Sequence, residues 1–331
     1  MINHTIVVGY YLSNKKHQSH QFQFMNVSNT WAGYHIQYKY IDMHNIDVDR
    51  LGQYECDVLI YKVSDIQTSV LYHNDYHTTQ CLNNIKQLQT YLHNQHTLIL
   101  YDTQYVDNVL SRYIMYSKCN VLHNITMDNV QYNIQIPKFH PLDQSTLINE
   151  HIQWPCIIKA DIACGTVESH QMYYIANFDN IQYLYNQLNQ WNNSKWLYQQ
   201  YIPHKYIYKV YVLGKDVYCF IRSSIDISHV QSNDIYKFDS QQLCAQSIDT
   251  VSNITPPQLQ LFQQIATQLC SIFHIDLFGF DIVIDEHNTN SYYIVDINYF
   301  PSYKQVNNFQ QLFNAYIVQK YQSKSINHYL C

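Results

Sequence analysis

Short apolar runs alternate with stretches of helical period along the first hundred residues. Residues 5–12 (TIVVGYYL), 57–63 (DVLIYKV) and 97–102 (TLILYD) read as strands, and between the last two Leu82, Ile85, Leu88 and Leu92 recur at the spacing of one helix face within 81–93. Strands separated by helix-length segments imply an α/β layer with a parallel sheet. Further on, the pattern predicts a helix over 106–117, a polar loop over 120–146 with Pro137 and Pro141, a buried strand at 156–160 (CIIKA) and another at 171–175. Residues 179–191 read as a helix, and 196–202 and 209–213 as strands. Gly214-Lys215 makes a tight turn from which 217–222 returns as a hairpin partner. The stretch 228–252 is polar and poorly patterned and reads as a long loop. Residues 256–274 form an amphipathic helix that opens on prolines and carries Leu259, Phe262, Ile265, Ala266 and Leu269 on one face. A final hairpin, 278–303 (FGFDIVIDEHNTNSYYIVDINYFPSY), precedes a terminal helix near 309–321.

That hairpin carries the first candidate chemistry. Residues two apart on a strand share a face, so Asp296 and Asn298 are expected beside Ile294, with Asp281 facing them from the partner strand. Three oxygen donors on a rigid sheet suit a hard cation such as Mg²⁺, which leaves its remaining positions to water and phosphates. An ordinary hairpin with solvated acids fits the spacing equally well.

Composition narrows the setting. A chain of 331 residues is too long for one average core and implies two or three domains. Charged residues make up only 13%, against 33 tyrosines, and the net charge of −6 excludes general nucleic-acid binding, which needs basic surface. An anionic small molecule can still be held if the few cations cluster. The opening MINHTIVVGYYLS reads as a first strand and not as a signal peptide, and no apolar run has the length of a membrane span. The nine cysteines are scattered without a CxxC pair, which fits small buried hydrophobes in a reducing cytosol.

The six glycines are too far apart for GxGxxG or a Walker loop, so any nucleotide must be gripped by side chains and strands. Lys159, ending a buried strand, and Lys209, inside the apolar run YKVYVLG, are candidates, because a lysine there is costly without an anion. A strand-edge lysine reaching water is the plainer alternative. Arg222 ends the second strand of the Gly214 hairpin, and only Arg50 and Arg112 accompany it in the chain. At the carboxyl ends of the first two strands stand Lys15-Lys16 and Lys62, where open α/β sheets collect ligands.

Taken in order, these segments resemble the inositol 1,3,4-trisphosphate 5/6-kinase family of the ATP-grasp fold, over most of the chain. VVGYYLSNKK and IYKVSD are similar to the family's two substrate-lysine segments and imply that role for Lys16 and Lys62. YVDNVLSRY resembles the stretch with a nucleotide-contacting arginine, here Arg112. IIKADIACGTVESHQM implies an ATP-phosphate lysine at Lys159, a loop glycine at Gly165 and an inositol-phosphate contact at His170. LYQQYIPH is similar to the adenine hinge, with Gln199, Gln200 and Tyr201. Lys209 matches a lysine near the substrate and transferred phosphate, and Arg222-Ser223-Ser224 an Arg-x-Ser that implies a nucleotide role for Ser224. FGFDIVID and IVDINYFPSY imply Mg²⁺ ligands at Asp281, Asp296 and Asn298 and a substrate contact at Ser302. Cys164 and Lys304 depart from the family pattern, the latter replacing a glycine-rich turn and adding a possible substrate cation.

The resemblance implies an α/β chain of three parts: an N-terminal layer at 1–103, a central lid domain at 104–203 and a C-terminal metal-binding domain at 204–331. It implies a monomeric, cytoplasmic, Mg²⁺-dependent kinase that moves the γ-phosphoryl of ATP to an inositol polyphosphate, with Lys159, Lys209 and Arg222 as catalytic cations. The alternatives are an ADP-forming carboxylate–amine ligase of the same fold and an inositol-phosphate-binding module without turnover.

Overall fold

Isoleucine, valine and tyrosine of the first apolar run build the middle strand of a parallel sheet. The computed structural model describes residues 4–27, 29–73, 75–143, 153–166, 168–191, 195–231, 234–240 and 254–329. It separates into two compact units, residues 1–106 with 300–331, and residues 107–299.

In the first unit, strands β1 (His4–Tyr11), β2 (Asn29–Trp31), β3 (Tyr34–Tyr40), β4 (Val58–Tyr61) and β5 (Leu98–Ile99) form a sheet of order β2-β3-β1-β4-β5. All neighbours are parallel except β2 and β3, which close as a hairpin over Ala32-Gly33 with both residues at positive φ. The helix Tyr76–Asn94 is capped by Asp75, whose carboxylate accepts from the Thr78 amide at 2.8 Å. It buries Leu82, Ile85, Leu88 and Leu92 with Leu59 and Tyr61 of β4, the face its periodicity predicts. The terminal helix, Phe309–Tyr329, returns to this unit, where Asn314 accepts from the Tyr38 hydroxyl at 2.6 Å and Phe313 stacks on Phe300.

A side chain at Gly9 in β1 would force the ends of neighbouring side chains to shift. A Cβ there would stand 2.7 Å from Ile41 Cδ1, 2.8 Å from Cys56 Sγ and 3.3 Å from Leu59 Cδ1. Gly9→Ala is expected to cost about 1–3 kcal/mol of stability through overpacking. Urea unfolding checks this: a shift in midpoint at constant m-value supports it, and an unchanged midpoint refutes it.

The second unit holds two sheets. One is built from β8 (Phe139–Pro141), β9 (Cys156–Ala160), β10 (Gln171–Ile175), β11 (Trp196–Gln200) and β14 (Ile235–Asp239), all antiparallel, in the order β14-β10-β9-β11-β8. The other takes the order β13-β12-β15-β16-β7-β6, from β6 (Ile125–Met127), β7 (Val130–Gln135), β12 (Tyr206–Leu213), β13 (Asp216–Ser223), β15 (Leu277–Ile284) and β16 (Ser291–Tyr299). Its helix Pro256–Phe273 starts with a capping box of Thr255 and Gln258.

Four expectations change here. The helix expected over 106–117 is two, Thr103–Asp107 and Arg112–Lys118, because Ser111 caps the second by accepting from the Ile114 amide. The expected loop 120–146 contains β6, β7 and β8, with β6 and β7 joined at Asp128-Asn129, both at positive φ as a tight hairpin turn requires. Strand β14 lies in the expected loop 228–252, whose part beyond residue 240 lies outside the described residues. On the Pro256 helix, Leu259 is exposed in the first turn, and the buried stripe runs through Leu261, Phe262, Ile265, Ala266 and Leu269.

Candidate active site

One face of the second unit's mixed sheet gathers most of the charged residues singled out above. Lys209 on β12 stands opposite Asp281 on β15, and Asp281 stands opposite Asp296 on β16. Asn298 follows two residues on, opposite Gly279, and donates from Nδ2 to Asp296 Oδ2 at 2.9 Å. Arg222 on β13 lies opposite Ile207, two residues from Lys209, and so reaches the same face. Its Nη2 meets Asp281 Oδ2 at 3.2 Å, and Nη1 donates to the Ser240 carbonyl at 3.3 Å.

The register holds a correction. Asp281 pairs with Asp296, but Ile282 pairs with Ile294, so Val295 is an extra residue on β16. This bulge puts Ile294 on the face opposite Asp296, whereas strict alternation had placed them together. It also frees the Val295 carbonyl, which accepts from the Tyr116 hydroxyl at 2.7 Å and from Lys159 Nζ at 3.1 Å.

Lys159 is a buried lysine on β9, flanked by Met172 of β10 and Leu197 of β11. Burial, then the neighbouring Arg112, lowers its pKa to about 7 against the opposite pull of Asp296 and Asp281. Burial keeps the Tyr116 phenol protonated. Arg112 is 1% exposed: Nη1 donates to the carbonyls of Ala160 and Ile162, Nη2 to that of Ser169, and Nε faces Asp296 Oδ1 at 3.5 Å. Gly165, at φ 89°, lies in the loop between those carbonyls, and His170 ends the short 3-10 turn that follows.

Two carboxylates in direct register repel each other unless cations compensate. Arg222, Arg112 and Lys159 supply part of that compensation. Asp296 Oδ1 is buried and accepts no hydrogen bond among the described residues. Two carboxylates and an amide from adjacent strands are a donor set that fits a small divalent cation.

The Gln199 side chain is 2% exposed, and its Nε2, beside the Tyr116 phenol, makes no hydrogen bond of good geometry among the described residues. An orphaned buried donor costs about 1–3 kcal/mol, so this position favours an incoming acceptor. The Gln200 amide donates to the Lys138 carbonyl and the Tyr201 amide to that of Pro155. Ser224 meets His204 Nε2 at 2.9 Å, and burial lowers the His204 pKa, favouring the neutral ring.

The remaining predicted residues lie in the first unit. Lys16 Nζ donates to the carbonyls of Phe300 and Pro301 and lies over the Phe300 ring, and Lys62 Nζ donates to the same Phe300 carbonyl at 3.2 Å. Burial, then the charge of Lys62, hold the Lys16 ammonium well below its usual pKa. Two crowded ammonium groups on neutral carbonyls gain when an anion reaches them. The turn they grip has Phe300 at φ 41° and Tyr303 at φ 50°, a left-handed backbone costly for aromatic residues and found where function over-determines the chain. Ser302 sits within it, and Lys304 follows, exposed, so the strain falls on Tyr303 rather than on the lysine.

Tyr116, Asp161 and His204 were not singled out in the sequence. No local signal distinguishes Tyr116 among 33 tyrosines. His204, three residues beyond the expected hinge position Tyr201, lies in the short connection between β11 and β12 and carries no pattern signal of its own.

The sequence profile described as the inositol 1,3,4-trisphosphate 5/6-kinase ATP-grasp domain matches residues 132–319, more than half of the chain. A rice (Oryza sativa subsp. indica) inositol-tetrakisphosphate 1-kinase 6 is 28% identical over 178 residues, which span 49% of this chain and 30% of the rice protein. The zebrafish (Danio rerio) inositol-tetrakisphosphate 1-kinase is 26% identical over 346 residues, covering 98% of this chain and 81% of the relative. Among solved structures, an ATP complex of D-alanine–D-alanine ligase from Bacillus anthracis superposes with a TM-score of 0.59 at 9% identity, over 97% of this chain and 98% of the ligase. An ADP complex of N5-carboxyaminoimidazole ribonucleotide synthetase gives 0.55 at 11% identity, over 89% and 70%. At such identities these structures speak for the fold alone. The profile match establishes that the chain belongs to the inositol 1,3,4-trisphosphate 5/6-kinase family, and the structures agree with its ATP-grasp fold.

Proposed function

We propose that this chain is an ATP-dependent inositol polyphosphate kinase that transfers the γ-phosphoryl of ATP to a hydroxyl of an inositol polyphosphate. The observation that carries the reading is the single sheet face on which Lys209, Arg222, Asp281, Asp296 and Asn298 meet, with Lys159 fixed against the bulge of the same hairpin. Phosphoryl transfer passes through a loose, highly charged transition state, so positioned charge supplies most of the catalysis.

In this reading the nucleotide lies in the second unit. Gln199, Gln200 and Tyr201 hold the adenine, Ser224 assists, Lys159 binds the phosphates under the loop of Gly165, and Lys209 and Arg222 steady the group in transit. Asp281, Asp296 and Asn298 would hold Mg²⁺, which would supply positive charge against the ATP phosphates. Lys16, Lys62, His170, Lys209, Ser302 and Lys304 contact the inositol phosphate. The two ammonium groups gathered at the Phe300 carbonyl support a polyanionic substrate over the amino acid of an ATP-grasp ligase.

The test is ADP release from ATP with a panel of inositol phosphates, beside Lys62→Ala. Turnover with at least one of them, and a Lys62→Ala variant whose KM for it rises about tenfold or more while ATP affinity stays within about twofold, is the expected result. A folded wild type that binds ATP but turns over none of them refutes the kinase reading.

A further inference from the structure

The family resemblance suggests a nucleotide contact for Arg112, yet most of its guanidinium donors are engaged by backbone carbonyls. Nη1 donates to Ala160 and Ile162 at 2.7 and 2.8 Å, and Nη2 to Ser169 at 3.0 Å. These carbonyls stand at both ends of the 161–169 loop that carries Gly165. Nε faces Asp296 Oδ1 at 3.5 Å, an ion-pair contact without a hydrogen bond among the described residues. The surrounding backbone is fastened the same way: the Arg112 amide donates to the Asp161 carbonyl at 2.7 Å, the Tyr113 amide to Asp161 Oδ1 at 2.9 Å, and the Ser111 hydroxyl meets both Asp161 oxygens at 2.9 and 3.0 Å.

A guanidinium is planar and rigid, so contacts made from its two ends are not independent. If the loop lifted, two or three N–H donors would be left in a buried site, and the charge facing Asp296 would lose its fixed direction. If Asp296 turned away, the guanidinium would lose the carboxylate that faces its Nε.

We propose that Arg112 is a positioning residue: it locks the 161–169 loop and the Asp296 carboxylate into one geometry, and it does not ligate phosphate. This rests on the kinase reading, in which the loop covers the nucleotide phosphates and Asp296 holds Mg²⁺. Asp161 and Ser111 serve the same clasp by fixing the helix start from which Arg112 projects.

The experiment uses Arg112→Lys, which keeps the charge and loses the fork, and Arg112→Met as a second variant. Leu269→Ala, a remote core change, gives the baseline for lowered stability. Amide exchange of residues 161–169 is measured in nucleotide-free protein, and ADP binding is measured by calorimetry in EDTA and across a Mg²⁺ titration. Loop amides in Arg112→Lys should exchange at least about tenfold faster than in wild type and in Leu269→Ala. ADP affinity in EDTA should stay within about threefold, while the Mg²⁺ concentration for half-maximal tightening rises about fivefold or more. Loss of about tenfold or more of ADP affinity in EDTA, with loop exchange unchanged, overturns the clasp and makes Arg112 a phosphate ligand. A wild type that binds no ADP refutes the nucleotide reading instead, and the exchange comparison then decides the clasp alone.

Discussion

Asp296→Asn is expected to leave a folded protein that still binds ADP but transfers phosphate about a thousandfold more slowly or worse. The reasoning starts from register. Asp296 stands directly across from Asp281, and its Oδ1 is buried without a hydrogen-bond donor among the described residues. Such an arrangement is unfavourable for the bare fold, since like charges in register repel and a desolvated carboxylate oxygen loses water. It becomes favourable only when positive charge arrives, and the nearest resident cation, Arg112, is turned to it through Nε at 3.5 Å. Asparagine keeps the shape and removes the charge, so thermal stability should hold or rise slightly. The paired measurements are ADP formation with Mg²⁺·ATP and a melting curve. A variant within tenfold of wild-type turnover would remove Asp296 from the reaction, and one that melts far earlier would make its role structural.

How much of this was visible beforehand depends on whether each feature is local. The first sheet was, because β1 and β4 carry apolar runs and the helix between β4 and β5 keeps a clean period of Leu82, Ile85, Leu88 and Leu92. Lys159 and Lys209 stood out because charge inside an apolar strand is costly without a reason, and Asp281 and Asp296 because strand alternation aimed them at one face. The strands of 120–146 were hidden by their shortness and by asparagine, glutamine and tyrosine in alternating positions. Yet Asp128-Asn129 between ITM and VQYNIQ is a primed-turn signal that was there to be read. The bulge at Val295 was not readable. Alternation is a rule of two, and one inserted residue reverses every assignment before it, so Ile294 changed faces while Asp296 and Asn298 kept theirs. The fastening of Arg112 is equally non-local, since its acceptors are carbonyls some 50 residues downstream that carry no side-chain signature.

Lys159→Met should stabilise the nucleotide-free protein while reducing kcat/KM for ATP about a hundredfold or more. Lys159 is buried and its pKa is lowered to about 7, with burial the main cause. Between about pH 7 and the ordinary lysine value of 10.5, the unfolded chain therefore holds a proton at this position that the folded chain has lost. Stability contributed by this site rises with pH across that window, and the penalty for keeping the charge is fully present below pH 7. Methionine of similar length removes the penalty and leaves the Val295 carbonyl its bond from Tyr116, so the variant should gain about 1–4 kcal/mol near pH 6.5 and progressively less toward pH 10. Nucleotide binding reverses the balance. A phosphate beside Lys159 favours the ammonium, so ADP binding by the wild type at pH 8 should take up close to one proton, and its affinity should fall as pH climbs above 7. Calorimetry in two buffers of different ionisation enthalpy reads that proton directly. Uptake that persists in Lys159→Met would assign it to another group, and a variant no more stable than wild type at pH 6.5 would show that Lys159 is not held in the folded protein at the cost its burial implies.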